Sequence, residues 1–177
     1  MSKSLRAKDV LKLETFLPYG LSVLTHQMAT RFSRLYEKFG LTTSQWRVLV
    51  AIAEEPGRTA QAVVEMTPMD KGIVSRSVKG LVHDNLLRRE AAREDGRMSH
   101  LHLTAKGEEI YDRVLPEIRR LEARLLEGFT QAEQAKLLEK VTRLRENLAA
   151  MGEDHKAAAT AIMAGGSSVM MQSTPKA

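Results

Sequence analysis

The sequence predicts a mainly α-helical protein with one small β-hairpin: a winged helix-turn-helix set between long N- and C-terminal dimerisation helices. Three observations predict it. Apolar residues recur at spacings of three and four over most of the 177 residues. The period drops to two at His100-Leu101-His102-Leu103. Short capped helical segments directly precede that alternating run.

Residues 9–17 read as a short helical arm. Pro18 then suits the first turn of a longer helix, where its missing N–H costs nothing. Leu21, Leu24, Met28, Phe32, Leu35 and Phe39 give that helix one apolar face, and Gly40 ends it. A second helix runs from about Thr43 or Ser44 to Glu55, carries Trp46, Leu49, Val50 and Ile52, and stops at Pro56-Gly57. A third, short helix starts near Thr59 and includes Val63, Val64 and Met66. The fourth begins around Thr67-Pro68-Met69-Asp70, with either Thr67 or Asp70 as its cap, and continues to about Leu86.

Leu87–Ala92 can be extended, and Arg93-Glu94-Asp95-Gly96-Arg97 reads as a hairpin turn before the alternating strand. Thr104 caps a long helix to about Glu127, with the stripe Ile110, Val114, Ile118, Leu121 and Leu125 and a kink expected at Pro116. Gly128 ends it. Thr130-Gln131-Ala132-Glu133 is a capping box opening a last helix, with the seam Leu137, Val141, Leu144 and Leu148 and a stop at Gly152.

The expected organisation is an arm and first dimerisation helix over 1–39, the winged helix-turn-helix lobe over 40–104, C-terminal dimerisation helices over 105–152, and a disordered tail over 153–177 rich in Ala, Gly, Ser and Met. The terminal stripes exceed what the small lobe can cover, so a homodimer is expected to bury them.

Composition narrows the function classes. There is no cysteine, which excludes a disulfide scaffold, a thiolate metal site and a cysteine nucleophile. One Trp, three Tyr and four Phe leave few platforms for stacking single-stranded bases. No apolar run is long enough to span a membrane, and the first residues lack a signal-type apolar segment, so a cytoplasmic protein without a membrane partner is expected. The net charge of +5 permits nucleic-acid binding without locating it. Residues 1–39 carry 7 basic and 3 acidic side chains, residues 40–104 carry 9 and 8, and residues 105–150 carry 9 and 9.

Placement locates it. On the fourth helix Val74, Val78, Leu81 and Val82 share one face; Lys71, Gly72, Ser75, Arg76, Lys79 and His83 share the other. The polar face has three Lys or Arg side chains, no carboxylate, and two residues small enough for close approach. That suits a helix in a DNA major groove. Arg76 fits a bidentate guanine contact, Lys71 and Lys79 fit phosphates, and Ser75 fits either. A polar helix face alone is usually only solvated. Here a short capped helix lies upstream, and Arg88, Arg89, Arg93 and Arg97 flank or occupy the hairpin downstream, where an arginine on a thin loop can enter a minor groove. Thr59 and Gln61, at the head of the third helix, complete the DNA-binding candidates.

The run Met69-Asp70-Lys71-Gly72-Ile73-Val74-Ser75-Arg76-Ser77-Val78-Lys79-Gly80-Leu81 resembles the recognition helix of the MarR family of bacterial transcription regulators. Asp95-Gly96-Arg97 followed by Leu103-Thr104 resembles that family's wing signature, and Trp46-Arg47-Val48-Leu49 resembles its second helix. The resemblance covers about Leu17 to Leu148. It implies an obligate homodimer on a pseudo-palindromic double-stranded operator, with Arg97 in the minor groove and Asp95 orienting wing arginines. Two departures are Asn85, where the family usually has glycine, and Gly96, where it often has another arginine, implying weaker wing contacts.

The resemblance further implies a repressor released by a small aromatic or phenolic acid, or its thioester, bound between the dimer helices and the DNA-binding lobe. Tyr19, His26, Trp46 and Arg47 are the candidate ligand residues: an arginine for a carboxylate, aromatics for a ring. Trp46 fits a core position better than a ligand contact. The competing reading is a non-specific architectural or protein-binding winged helix. An enzyme is not expected, because phosphate loops, nucleophile elbows and zinc-protease pairs are missing from the sequence. His100 and His102 share a strand face but lack a third ligand, so they read as solvated, with no metal and no cofactor.

Overall fold

The computed structural model describes residues 10–91 and 99–166, with side chains described through residue 151. Six helices and one antiparallel strand pair follow in the order α1 (Leu17–Glu37), α2 (Thr43–Glu54), α3 (Ala60–Met66), α4 (Lys71–His83), β1 (Leu87–Ala91), β2 (Ser99–Leu103), α5 (Ala105–Leu125) and α6 (Gln131–Gly166). They form two compact units, one through Ala123 and one from Arg124.

Most helix starts are fixed by side chains that satisfy otherwise unpaired N–H groups. The Gln45 N–H donates to Thr42 Oγ1 (3.2 Å) while the Thr42 N–H donates to Gln45 Oε1 (2.8 Å), a capping box that opens α2. Thr59 Oγ1 accepts from the Ala62 N–H (3.1 Å). Asp70, not Thr67, caps α4, taking the Ile73 N–H at 2.8 Å, while the Thr67 hydroxyl donates back to Val63 O (2.6 Å) and closes α3. Thr130 and Glu133 form the expected box before α6.

Three ends differ from expectation. The arm shrinks to one 3-10 turn, Leu13–Thr15, which has no side-chain cap and is too short to sustain a helix. Helix α4 stops at His83, short of the expected Leu86, because Asn85, in the place where the family has its left-handed glycine, takes φ +59°. The Leu86 N–H then reaches Leu81 O (2.8 Å) and the Asn85 N–H reaches Val82 O (3.1 Å), the bond pair of a left-handed helix end. Helix α6 passes Gly152 and continues to Gly166. One glycine costs a helix only about 1 kcal/mol, and the alanine-rich run after it has high helix propensity. Residues 167–177, the remainder of the expected tail, lie outside the described residues.

The core belongs to the first unit. Val48, Leu49 and Ile52 of α2 meet Val63 of α3, Val74, Val78 and Leu81 of α4, Leu87 and Leu101 of the strands, and Val114 of α5, all fully buried. Strand register places Leu87 opposite Leu103 and Arg89 opposite Leu101. A third segment joins the pair: the Gly57 N–H donates to Leu101 O (2.9 Å) and the Leu101 N–H to Arg58 O (3.1 Å), with a bridge between Thr59 and His100.

Trp46 is 5% exposed and stacks between Tyr36 (centroids 5.8 Å apart) and Tyr111 (5.4 Å), joining α1, α2 and α5. Burial raises the Tyr36 pKa against the lowering charge of Arg47. Helix α5 runs unbroken through Pro116. On α1 only Tyr36 is buried, and Leu17, Leu21 and Leu24 stand in solvent. In the second unit Leu137, Val141 and Leu148 of α6 are likewise exposed.

Candidate nucleic-acid interface

The two faces of α4 separate as its periodicity predicts. Val74, Ser77, Val78 and Leu81 are buried; Lys71, Gly72, Ser75, Arg76 and Lys79 are exposed. Among the described residues none of Lys71, Arg76 and Lys79 is ion-paired, in contrast to several other cations of this unit. Arg58 is held by Glu54 (2.8 Å) and Glu55 (3.0 Å) and also donates to Ala51 O, so it is a structural clamp. Its pKa is raised chiefly by the hydrogen bond to Glu54.

The arrangement distinguishes two neighbouring arginines that sequence reasoning grouped together. Arg88 is tied to Glu90 (2.9 Å), whose carboxyl pKa is lowered first by that hydrogen bond. Arg89 points to the opposite strand face and carries no ion pair among the described residues. It joins Gln61, Lys71 and Ser75 around a hollow of about 300 Å³ floored by Val64 and Val78. Four polar groups from α3, α4 and β1 thus converge there, and the signal for Arg89 was strand alternation relative to Glu90. Gln61 is partly engaged by Glu65 (3.0 Å), and Thr59 is occupied as the α3 cap. Arg93, Asp95 and Arg97 lie outside the described residues.

A larger cleft, about 580 Å³, opens on the other side of α4. Its walls come from the end of α1 (Ser33, Glu37), the start of α2 (Thr42, Arg47), the α3–α4 turn (Pro68, Met69) and α4 (Ile73, Arg76). Of the four ligand candidates only Arg47 lines it. Trp46 sits in the core, with Tyr36 and Tyr111 stacked against its ring, and does not line the cleft. Tyr19 and His26 stand exposed on α1, outside the cleft walls. Among the described residues no aromatic ring lines this cleft, and its chemistry is two guanidinium groups, one carboxylate, hydroxyls and an aliphatic wall.

His100 and His102 are half-buried, not solvated. His100 Nδ1 lies 2.7 Å from Gly57 O, and His102 Nε2 lies 3.6 Å from Glu90 Oε2. The long-range segment 57–59 covers them. Among the described residues no group of three His, Asp or Glu side chains could hold a metal, and no helix is long and apolar enough to cross a membrane.

Residues 39–98 match the MarR family model. A helix-turn-helix-type transcriptional regulator of Staphylococcus aureus (strain MSSA476) is 27% identical over 122 residues, covering 69% of this chain and 78% of the relative. Among solved structures, a MarR family transcriptional regulator from Silicibacter pomeroyi superposes with a TM-score of 0.67 at 26% identity, covering 77% of this chain and 92% of its own. The PcaV transcriptional regulator from Streptomyces coelicolor, solved in complex with its natural ligand, gives a TM-score of 0.66 at 25% identity, covering 77% and 96%.

Proposed function

We propose that this chain, whose residues 39–98 match the MarR family model, is a homodimeric, ligand-responsive repressor of that family that acts in the cytoplasm. It is a DNA-binding transcriptional regulator of MarR type. The observation that carries the finer reading is the exposed face of α4: three cations that have no ion-pair partner among the described residues, beside Gly72 and Ser75, backed by a buried face of mostly apolar residues. Such a helix can enter a major groove without desolvating a carboxylate or breaking an existing ion pair.

In this reading Arg76 reads a guanine, and Lys71 and Lys79 hold phosphates. Ser75 and Gln61 approach the backbone or base edges beside Arg89, and Thr59 positions α3. Arg97, oriented by Asp95 and with Arg93 nearby, enters the minor groove. The exposed apolar residues of α1 and, separately, those of α6 support a homodimer, whose two lobes would meet half-sites about one helical turn, ~34 Å, apart. The 580 Å³ cleft supports a small acid effector, with Arg47 as carboxylate partner. The ligand-bound PcaV structure supports ligand response in a relative of the same fold. The cleft favours an acid with an apolar body, such as an aromatic or phenolic acid, held by charge and hydroxyls, not by ring stacking.

Arg76→Ala tests the assignment. On a duplex that the protein retains from a random pool, it should cost about 1–3 kcal/mol and relax preference at one base per half-site. Equal weakening across all sequences would remove Arg76 from base reading and make it a phosphate contact.

Gly72→Ala separates stability from recognition. Alanine favours a helix over glycine by about 0.5–1 kcal/mol, so the melting temperature should hold or rise. A Cβ there meets Asp70 Oδ1 at 3.1 Å and Arg76 Nη1 at 3.3 Å, so the guanidinium must shift and the close face of α4 gains bulk. Affinity for the same duplex should fall while stability does not. Unchanged affinity would contradict close approach at Gly72.

A further inference from the structure

We propose that Arg76 is a shared side chain: it contacts DNA from the exposed face of α4 and, with Arg47, binds the carboxylate of a small acid in the adjoining cleft. The acid then releases DNA by taking away that one guanidinium. This rests on reading α4 as the DNA-contacting helix and the cleft as the effector site.

Four observations lead there. Arg76 is both exposed on the outer face of α4 and part of the wall of the 580 Å³ cleft. Arg47 lines the same cleft from α2, and among the described residues neither arginine is ion-paired. Among the described residues that line the cleft Glu37 is the one carboxylate against two arginines, so these walls carry a net positive charge that favours an anion. Leu41, Pro68, Met69 and Ile73 supply an apolar wall, which selects a carboxylate with an apolar body over a free inorganic anion.

Gly72 permits the movement this requires. The Arg76 guanidinium lies back along α4, with Nη1 3.3 Å from where a Cβ of residue 72 would stand. With no side chain at 72, no Cβ crowds the guanidinium on that side. A guanidinium presents one planar fork, and a bidentate partner occupies it. A carboxylate and a guanine edge therefore compete for it.

This mechanism sets a ceiling. An acid that acts only by capturing Arg76 cannot weaken DNA binding more than removing Arg76 does. A rotation of whole lobes has no such limit, because it spoils both half-sites together.

The test uses benzoate as the probe, full-length protein and the selected duplex. Saturating benzoate should weaken wild-type DNA binding about 5–150-fold, matching but not exceeding the loss caused by Arg76→Ala. Arg76→Ala should show no further release by benzoate. Without DNA, Arg76→Ala and Arg47→Ala should each weaken benzoate binding about tenfold or more, with melting curves confirming the fold. Benzoate releasing Arg76→Ala from DNA as it releases wild type would overturn the shared role, as would wild-type benzoate affinity in Arg76→Ala. If Arg47→Ala alone loses benzoate, the cleft reading stands and only the shared role fails. If both variants bind benzoate like wild type, or wild type binds none, both the cleft reading and the proposal are overturned.

Discussion

Trp46→Ala should destabilise the protein by about 3–5 kcal/mol, the range for removing a buried Trp. That is a large fraction of the roughly 5–15 kcal/mol that holds a typical domain together. The indole is 5% exposed and stacks on two tyrosine rings, so its removal takes away both stacking contacts and leaves a buried cavity. Because Tyr36, Trp46 and Tyr111 come from α1, α2 and α5, the loss falls on the junction of those helices. Denaturant unfolding followed by circular dichroism measures it, since the variant lacks the chain's single Trp. Trp46→Phe, which keeps an aromatic face, should recover more than half. A loss below about 1 kcal/mol for alanine would show that the stack contributes little.

Gly107→Ala should be the next most damaging, at about 1–3 kcal/mol or more. The position lies in the first turn of α5, where alanine is the better helix former by about 1 kcal/mol. Packing reverses that preference. A Cβ on residue 107 would stand 2.1 Å from Leu86 O and 3.0 Å from Leu86 C, and a backbone carbonyl cannot rotate aside as a side chain can. The same carbonyl accepts the Thr104 N–H (3.1 Å), and the Gly107 N–H donates to the Thr104 hydroxyl (3.1 Å), so yielding would also disturb the α5 cap. The thermal midpoint should fall by several degrees, roughly 4–8 °C per kcal/mol for a small domain. A variant as stable as wild type would mean that α5 can draw back from the start of β1 at no cost.

The contrast between Gly72 and Gly107 shows what a sequence can and cannot convey. Both look like helix-weakening glycines. One faces solvent next to Arg76; the other is buried against backbone from a segment twenty residues earlier. Periodicity made both faces of α4 legible because the pattern is local, and the Thr130–Glu133 box was legible because its partners are three residues apart. Asp70 against Thr67 stayed open because both can cap; the structure gives Thr67 a different partner, Val63 O.

Long-range assembly was not legible. The segment Gly57–Thr59 pairs with β2 across some forty residues, which half-buries the two histidines. The cleft draws residues 33 through 77 together, and no spacing rule links Glu37, Arg47 and Arg76. Residue type left Trp46 open between two roles, because a core stack and a ligand slot ask for the same aromatic side chain; the structure places it in the core stack. Composition misled at Gly152, where helix formers on both sides outweigh one glycine.

The measurement that bears most directly on the DNA-reading role of α4 is selection of duplex DNA from a random pool by the purified protein. Salt must be fixed near physiological strength, because phosphate contacts alone produce sequence-independent affinity that rises steeply as salt falls. A two-fold symmetric motif with half-sites about one helical turn apart is the expected result. Arg76→Ala should then blur one base position in each half. No enrichment by a folded protein would contradict sequence reading by α4 and leave its cations as contacts to phosphate alone.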